Sequence, residues 1–307
     1  MKVRSTARRT MVGVAAAVAL AAGGATAVAT SAASHVSSRP AARVSGSYQA
    51  EQAARARASL LRYLSQSRPL ADVIGASSGL KPSNPDLHAG ATGNAGVGSF
   101  NWSGYADYGS PGTFTGISAS WREPLTLCTS EQRLAAFWVG LDGYNNSTVE
   151  QDGTLAYCFE GAAYYYTWWE MYPAGSVAVG STVRPGDLIT ASVTRSGTSY
   201  TLSLTDYNSP ADSFSTVQTC STCQNSSAEW IAERPAFPIG ITPLSYFSDW
   251  SVTNAWQSEG GPRESISAGP NPTGIIMVDA TDTYPLAVVS GLSRAGTTFT
   301  AHWLNSY

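Results

Sequence analysis

Glutamates that share one face of a short apolar strand are uncommon, and Glu229-Trp230-Ile231-Ala232-Glu233 has two of them flanking an isoleucine while Trp230 faces the other way. In a second segment, Tyr166 to Tyr172, the same alternation sets Tyr166, Trp168, Glu170 and Tyr172 on one face and Trp169 and Met171 on the other. Carboxylates among aromatic rings suit a concave, substrate-facing sheet better than a core. Such groups act as acid and base in peptide or glycoside hydrolysis. Other hydrolytic centres lack parts. A Ser-His-Asp triad would have to draw on His302, the one histidine after residue 96, with no G-x-S-x-G turn beside it, and a cysteine nucleophile meets the same shortage. His302 itself reads as structural. There is no H-E-x-x-H, Walker or G-x-G-x-x-G motif, and the Cys220-Ser221-Thr222-Cys223 pair lacks the further ligands a zinc site needs. No metal or cofactor is expected.

The elements that must carry these residues are strands. From about Phe100 onward, short runs of Val, Ile, Thr, Tyr, Phe and Trp alternate with Gly, Pro, Asn, Asp and Ser turns. Leu188–Arg195 and Tyr200–Tyr207 read as a hairpin. Further strands are expected at Trp102–Tyr108, Thr113–Trp121, Ala135–Leu141, Ala163–Tyr172, Ala228–Glu233, Ser245–Val252, Gly274–Val278 and Thr297–Trp303. Some two hundred residues of this kind, with no long amphipathic helix among them, imply an all-β fold: a β-sandwich of two antiparallel sheets.

The first third differs. Lys2, Arg4, Arg8 and Arg9 precede an apolar run from Met11 to Ala22, with the small residues Ala27-Val28-Ala29 behind it, which is the layout of an export signal over residues 1–33. Ordinary secretion is favoured, and the arginine pair leaves twin-arginine export open. Residues 34–95 read as a propeptide, or alternatively a disordered linker, with helical periodicity only from Gln49 to Leu64. Residues 96–307 form the catalytic domain. Before residue 96 there are 11 basic against 3 acidic residues, and after it 7 arginines against 18 acids. A domain so acidic repels nucleic acid, and acid relieves its self-repulsion. The basic segment is expected to dock on the acidic domain near neutral pH and to let go in acid. All four cysteines lie in the second part and read as the disulfides Cys128–Cys158 and Cys220–Cys223 of an exported, extracellular protein.

Five motifs then occur in order: Asn101-Trp102-Ser103-Gly104-Tyr105-Ala106, Phe137-Trp138-Val139-Gly140-Leu141-Asp142-Gly143, Val149-Glu150-Gln151-Asp152-Gly153, Trp168-Trp169-Glu170-Met171-Tyr172-Pro173 and Ala228-Glu229-Trp230-Ile231-Ala232-Glu233. The chain thereby resembles the eqolisins, the glutamic peptidases. The resemblance implies a β-sandwich, a catalytic pair of Gln151 and Glu233, supporting roles for Asp142 and Glu170, and cleft positions for Trp138 and Trp168. Asp142 and Glu170 are expected to orient Gln151 and tune the field at Glu233. Glu150 and Asp152 depart from the family pattern, and are expected to add negative charge beside the pair.

The chemistry of such a pair is simple to state. At its ordinary pKa of ~4.3, Glu233 is ionised in mild acid, where it can take a proton from water and return it to the leaving amine. The neutral amide of Gln151 donates at any pH and can stabilise an oxyanion. Glu229, on the face of Glu233, is the rival base and otherwise a substrate-binding residue. The expected partners are polypeptide substrates and the chain's own propeptide as an intramolecular inhibitor, and a monomer is expected. Two other readings stay open: a jelly-roll glycoside hydrolase using Glu170 and Glu233, and a noncatalytic sandwich that binds carbohydrate.

Overall fold

A computed structural model of the chain describes residues 46–66, 96–237 and 240–306. The expected export signal and most of the expected propeptide lie outside the described residues. Within 46–66, the helix Gly46–Gln66 matches the periodic stretch read from the sequence.

The remainder is β. Hydrogen bonding runs from strand to strand through one long ladder that folds over into two layers. One layer holds Phe214–Thr219, Ser199–Asp206, Leu188–Ser196, Gly116–Arg122 and Trp250–Ser258. The other, which carries the site, holds Thr273–Val278, Trp102–Tyr108, Ser227–Glu233, Arg133–Leu141, Val149–Phe159 and Ala162–Tyr172. Phe299–Trp303 and Pro285–Val289 join the two. Alternation fills the space between layers: Phe137, Val139, Trp230 and Ala232 from the second layer meet Ile189, Ala191, Val193, Leu202 and Trp250 from the first. The opposite face of the second layer is a groove wall of Trp102, Leu134, Trp138, Leu155, Tyr157, Tyr166, Trp168 and Ile231.

Both disulfides form as expected. The hairpin closes with Ser196 paired to Ser199, and Gly197 supplies the left-handed turn conformation at φ 61°. Two expectations change. The single strand expected over Ser245–Val252 is split into Tyr246–Phe247, which pairs Thr126–Leu127, and Trp250–Ser258, which bulges between Thr253 and Trp256. The longest surprise is Val149–Phe159, eleven residues of central strand where Glu150-Gln151-Asp152-Gly153 carries no strand signal. Its two neighbours supply the reason. Pairing along its whole length with Arg133–Leu141 and Ala162–Tyr172 satisfies its backbone, and this outweighs local propensity.

Candidate active site

Register brings the chemistry together. Glu229, Gly140, Gln151 and Glu170 lie in one lateral row across four strands, and Ile231, Trp138, Gly153 and Trp168 form the next. Glu233 sits one row further, opposite Trp102 and Ala136. Alternation directs Gln151 and Glu233 to the same groove face as Leu155 and Ile231. They make no hydrogen bond to each other, and Trp138 occupies the row between them. Glycines make room for that indole. A Cβ on Gly153 would come within 2.7 Å of the Trp138 Cβ, and one on Gly140 would meet the Trp138 ring at 3.0 Å and the Gln151 Cβ at 3.1 Å.

Each side chain of the site is held. The Trp138 indole N–H donates to Glu233 Oε2 at 2.8 Å, and the Asn101 amide donates to Oε1 at 3.2 Å. Every carboxylate oxygen can accept more than one bond, so both retain capacity toward the groove. Gln151 donates through Nε2 to Glu170 Oε2 at 2.5 Å, and Ser176 donates to the other Glu170 oxygen at 2.7 Å. The Gln151 Oε1 has no partner among the described residues. Burial raises the pKa of Glu233 to about 7 despite the Trp138 bond, and the nearby Glu170 charge raises it further. Glu170 is also raised to about 7 by burial, against the pull of Ser176 and Gln151. The ordinary pKa assumed for Glu233 is therefore corrected upward: the cost of a buried charge exceeds what two donors return.

Other expected members are placed differently. Asp142 does not reach Gln151. Its backbone is left-handed at φ 68°, and its carboxylate accepts from the backbone N–H groups of Asn225 at 2.7 Å and Ser226 at 2.8 Å and from Asn146 Nδ2 at 2.6 Å. It ties together the loops that precede the Gln151 and Glu233 strands, and the orienting contact on Gln151 falls to Glu170. Glu229 shares the groove face but is fully buried, accepting from the Tyr144 N–H at 3.3 Å, so it offers no surface to a substrate. Burial raises its pKa well above the carboxylate range, and as a neutral acid it is a poor rival base. Trp138 is likewise fully buried, forming the floor and a donor, whereas Trp168 keeps 7% of its surface exposed.

Glu150 and Asp152 are the plainest correction. They alternate with Gln151 and so point between the layers, where Asp152 faces the backbone of Ser192 and Ser203. Burial, followed by the Asp142 carboxylate, raises Glu150 to about 10, and burial raises Asp152 well above its ordinary range. They are neutral acids and add no charge beside Gln151. What the sequence reading missed was the pair of hydrogen-bond partners Asn101 and Ser176. Asn101 stood inside a quoted motif, but only the fold shows its amide against Glu233.

Comparison with known proteins gives the family and the fold. Residues 100–299 match the Peptidase A4 family, and the chain belongs to that family. Aspergillopepsin-2 from Aspergillus niger is 30% identical over 138 residues, covering 43% of this chain and 49% of the relative, so the match spans about half the relative's length. The fold is similar to a crystal structure of scytalido-glutamic peptidase with a transition state analog inhibitor, with TM-score 0.56 and 23% identity over 66% of this chain and 98% of that one. It is also similar to SCP-B, a member of the eqolisin family in complex with the tripeptide Ala-Ile-His, with TM-score 0.51 and 22% identity over 66% and 98% of the two chains. The similarity covers the sandwich and leaves the helix Gly46–Gln66 outside the matched family region.

Proposed function

We propose that the chain is a secreted glutamic endopeptidase that hydrolyses peptide bonds in mild acid, with Glu233 as general base and acid and Gln151 as the amide that holds water and stabilises the oxyanion. The observation that carries this reading is the shared groove face. Gln151 and Glu233 flank the Trp138 indole, each fixed by separate donors or acceptors, and each keeps capacity of the kind the reaction needs: the Glu233 oxygens can accept a further bond, and the Gln151 NH2, which gives one N–H to Glu170, has a second to donate. An ionised Glu233 takes a proton from water as the water's oxygen attacks the scissile carbonyl. The Gln151 amide meets the developing negative charge, and the same glutamic acid then protonates the departing amine. The bonds of Glu170 to Gln151 and Ser176 support a role in orienting the amide over one as a glycosidase nucleophile.

With a pKa of about 7, roughly one Glu233 in a hundred is ionised at pH 5 and about half at pH 7, so the base alone gains toward neutral pH and the acid limb of the activity reports its titration. Denatured casein at pH 3 to 7 is the assay. Cleavage abolished in Glu233→Gln and Gln151→Ala supports the reading. Sugar release from β-glucans that survives Gln151→Ala would replace it with a glycosidase.

The helix Gly46–Gln66 fits the role of inhibitory propeptide. Leu60 and Ala56 are fully buried, with Leu60 in the groove-wall cluster of Leu155, Tyr157 and Tyr166. Ser59 hydrogen-bonds the Tyr157 hydroxyl at 3.1 Å, and Arg55 pairs with Glu160 at 2.7 Å beside the Phe159 ring. The ion pair is exposed and worth at most about 1 kcal/mol, while burying a leucine is worth about 2 kcal/mol. Among the described contacts of this helix, apolar packing thus contributes more than the ion pair. Leu60→Asp is expected to weaken inhibition at every pH, and Arg55→Ala only slightly and mainly at low salt. Inhibition constants of the isolated segment against the processed enzyme give the check.

A further inference from the structure

Asn101 and Ser99 form a short relay that ends on Glu233. The Ser99 oxygen accepts from the backbone N–H groups of Asn101 at 3.3 Å and Trp102 at 3.1 Å, which occupies its lone pairs. Only its proton remains to be placed, and it is given to Asn101 Oδ1 at 3.2 Å. With Oδ1 accepting, the amide can turn only its NH2 toward the carboxyl, and Nδ2 donates to Glu233 Oε1. The turn that carries the relay is clamped by the next residue after the glutamate. The Arg234 backbone N–H donates to the Asn101 carbonyl at 3.0 Å, and its guanidinium donates to the Phe100 carbonyl at 2.5 Å and to Val278 at 3.1 Å. Ser99, Asn101 and Arg234 are all buried, so bulk water does not compete for these bonds.

We propose that Asn101 is a positioning residue for Glu233, with Ser99 setting the direction of its amide, and that the pair fixes the pH at which the carboxyl becomes a working base. The proposal rests on the peptidase reading for its kinetic consequence, but its geometry does not. A side-chain N–H held against Oε1 favours the ionised carboxylate, as does the indole on Oε2, while Glu170, three strands across the same groove face, opposes ionisation. Removing the Asn101 donor leaves burial and Glu170 less opposed. The ionisation of Glu233 then moves to higher pH.

The test compares Asn101→Ala, Asn101→Asp, Ser99→Ala and Ser99→Thr in the processed enzyme. Asn101→Ala is expected to move the acid limb of kcat/KM up by about one pH unit, with roughly tenfold loss at pH 5 and little change in KM. Asn101→Asp separates donation from bulk. Its protonated carboxyl can donate as the amide does and retains activity in acid, whereas its ionised form repels Glu233 and loses activity as pH rises. Ser99→Ala is expected to reproduce part of the alanine shift, and Ser99→Thr, which keeps the hydroxyl, to restore the profile. Carboxyl resonances of 13C-glutamate-labelled protein, assigned with Glu233→Gln, report the titration without any substrate, and thermal unfolding identifies a variant that has lost its fold. An upward-shifted Glu233 titration in Asn101→Ala supports the relay even if the wild type cleaves no peptide, in which case the peptidase reading alone falls. An unmoved titration in folded Asn101→Ala, or identical pH profiles for the Ala and Asp variants, overturns it.

Discussion

The two faces of the strand Val149–Phe159 put adjacent residues into opposite kinds of environment. On the groove face, Gln151 is bonded to Glu170 and lies beside Trp138, with Gly153 and Leu155 continuing the wall. On the inner face, Glu150 and Asp152 are carboxyls pressed into the space between the layers and kept neutral by burial. Charge next to Gln151 in sequence is therefore not charge next to Gln151 in space. The comparison also separates two effects of acid. At the groove, lowering pH protonates Glu233, the base of the proposed mechanism. Between the layers, lowering pH keeps protonated the groups on which the folded state depends. On the proposed reading, the working range lies where the two demands overlap.

The largest expected effect sharpens that division directly. Glu233→Gln and Gln151→Ala are each expected to reduce kcat/KM on a peptide substrate by about 100-fold or more, whereas Asp152→Asn is expected to stay within a few-fold of wild type when assayed in acid. If Asp152→Asn loses as much as Gln151→Ala, the two faces are not functionally distinct.

Next comes stability against pH. A carboxyl whose folded pKa is raised contributes fully below its ordinary value of ~4.5, and that contribution is lost as pH climbs through the folded value, at about 1.4 kcal/mol per unit per group. For Glu123 the loss continues to about 8, and for Glu150 to about 10. Thermal unfolding followed by circular dichroism is expected to show Tm falling steadily from pH 4 to pH 8. Glu150→Gln, which cannot ionise, is expected to recover about 3 kcal/mol at pH 7 relative to wild type. A flat Tm profile in the wild type would show that the inner carboxyls are not held neutral.

A smaller effect concerns the partner of the amide. Glu170→Gln keeps a side-chain oxygen for the Gln151 N–H but removes the charge that opposes ionisation of Glu233. The acid limb of kcat/KM is expected to move down by a fraction of a pH unit, while Glu170→Ala, which abandons the amide, is expected to cost about tenfold. Equal losses in both variants would mean that the charge of Glu170, and not its hold on Gln151, is what the site uses.

Much of the second layer was legible as strands. Trp102–Tyr108 has the bounds its composition predicts, and Tyr166, Trp168 and Tyr172 share the face that period-two alternation assigns them, with Trp169 and Met171 on the other. The Gln151 strand was not legible, because two acids, an amide and a glycine in succession have no strand propensity of their own. Only neighbours on both sides, together with a dry interior that neutralises Glu150 and Asp152, make it a central strand. Asp142 illustrates the same limit. Its place directly before Gly143 was visible, but its role as acceptor for two N–H groups more than eighty residues away was not.

By itself the sequence determined the all-β class, the two disulfide pairings, the helical stretch before the sandwich and the residues capable of acid chemistry, because each follows from composition, local spacing or side-chain alternation. The tertiary structure decided which carboxyls face the groove and which are pressed between the layers, and that Asn101 and Ser176 bond Glu233 and Glu170. Protonation and orientation depend on burial and on partners contributed by other strands, and neither is encoded in the residues on either side of the group concerned.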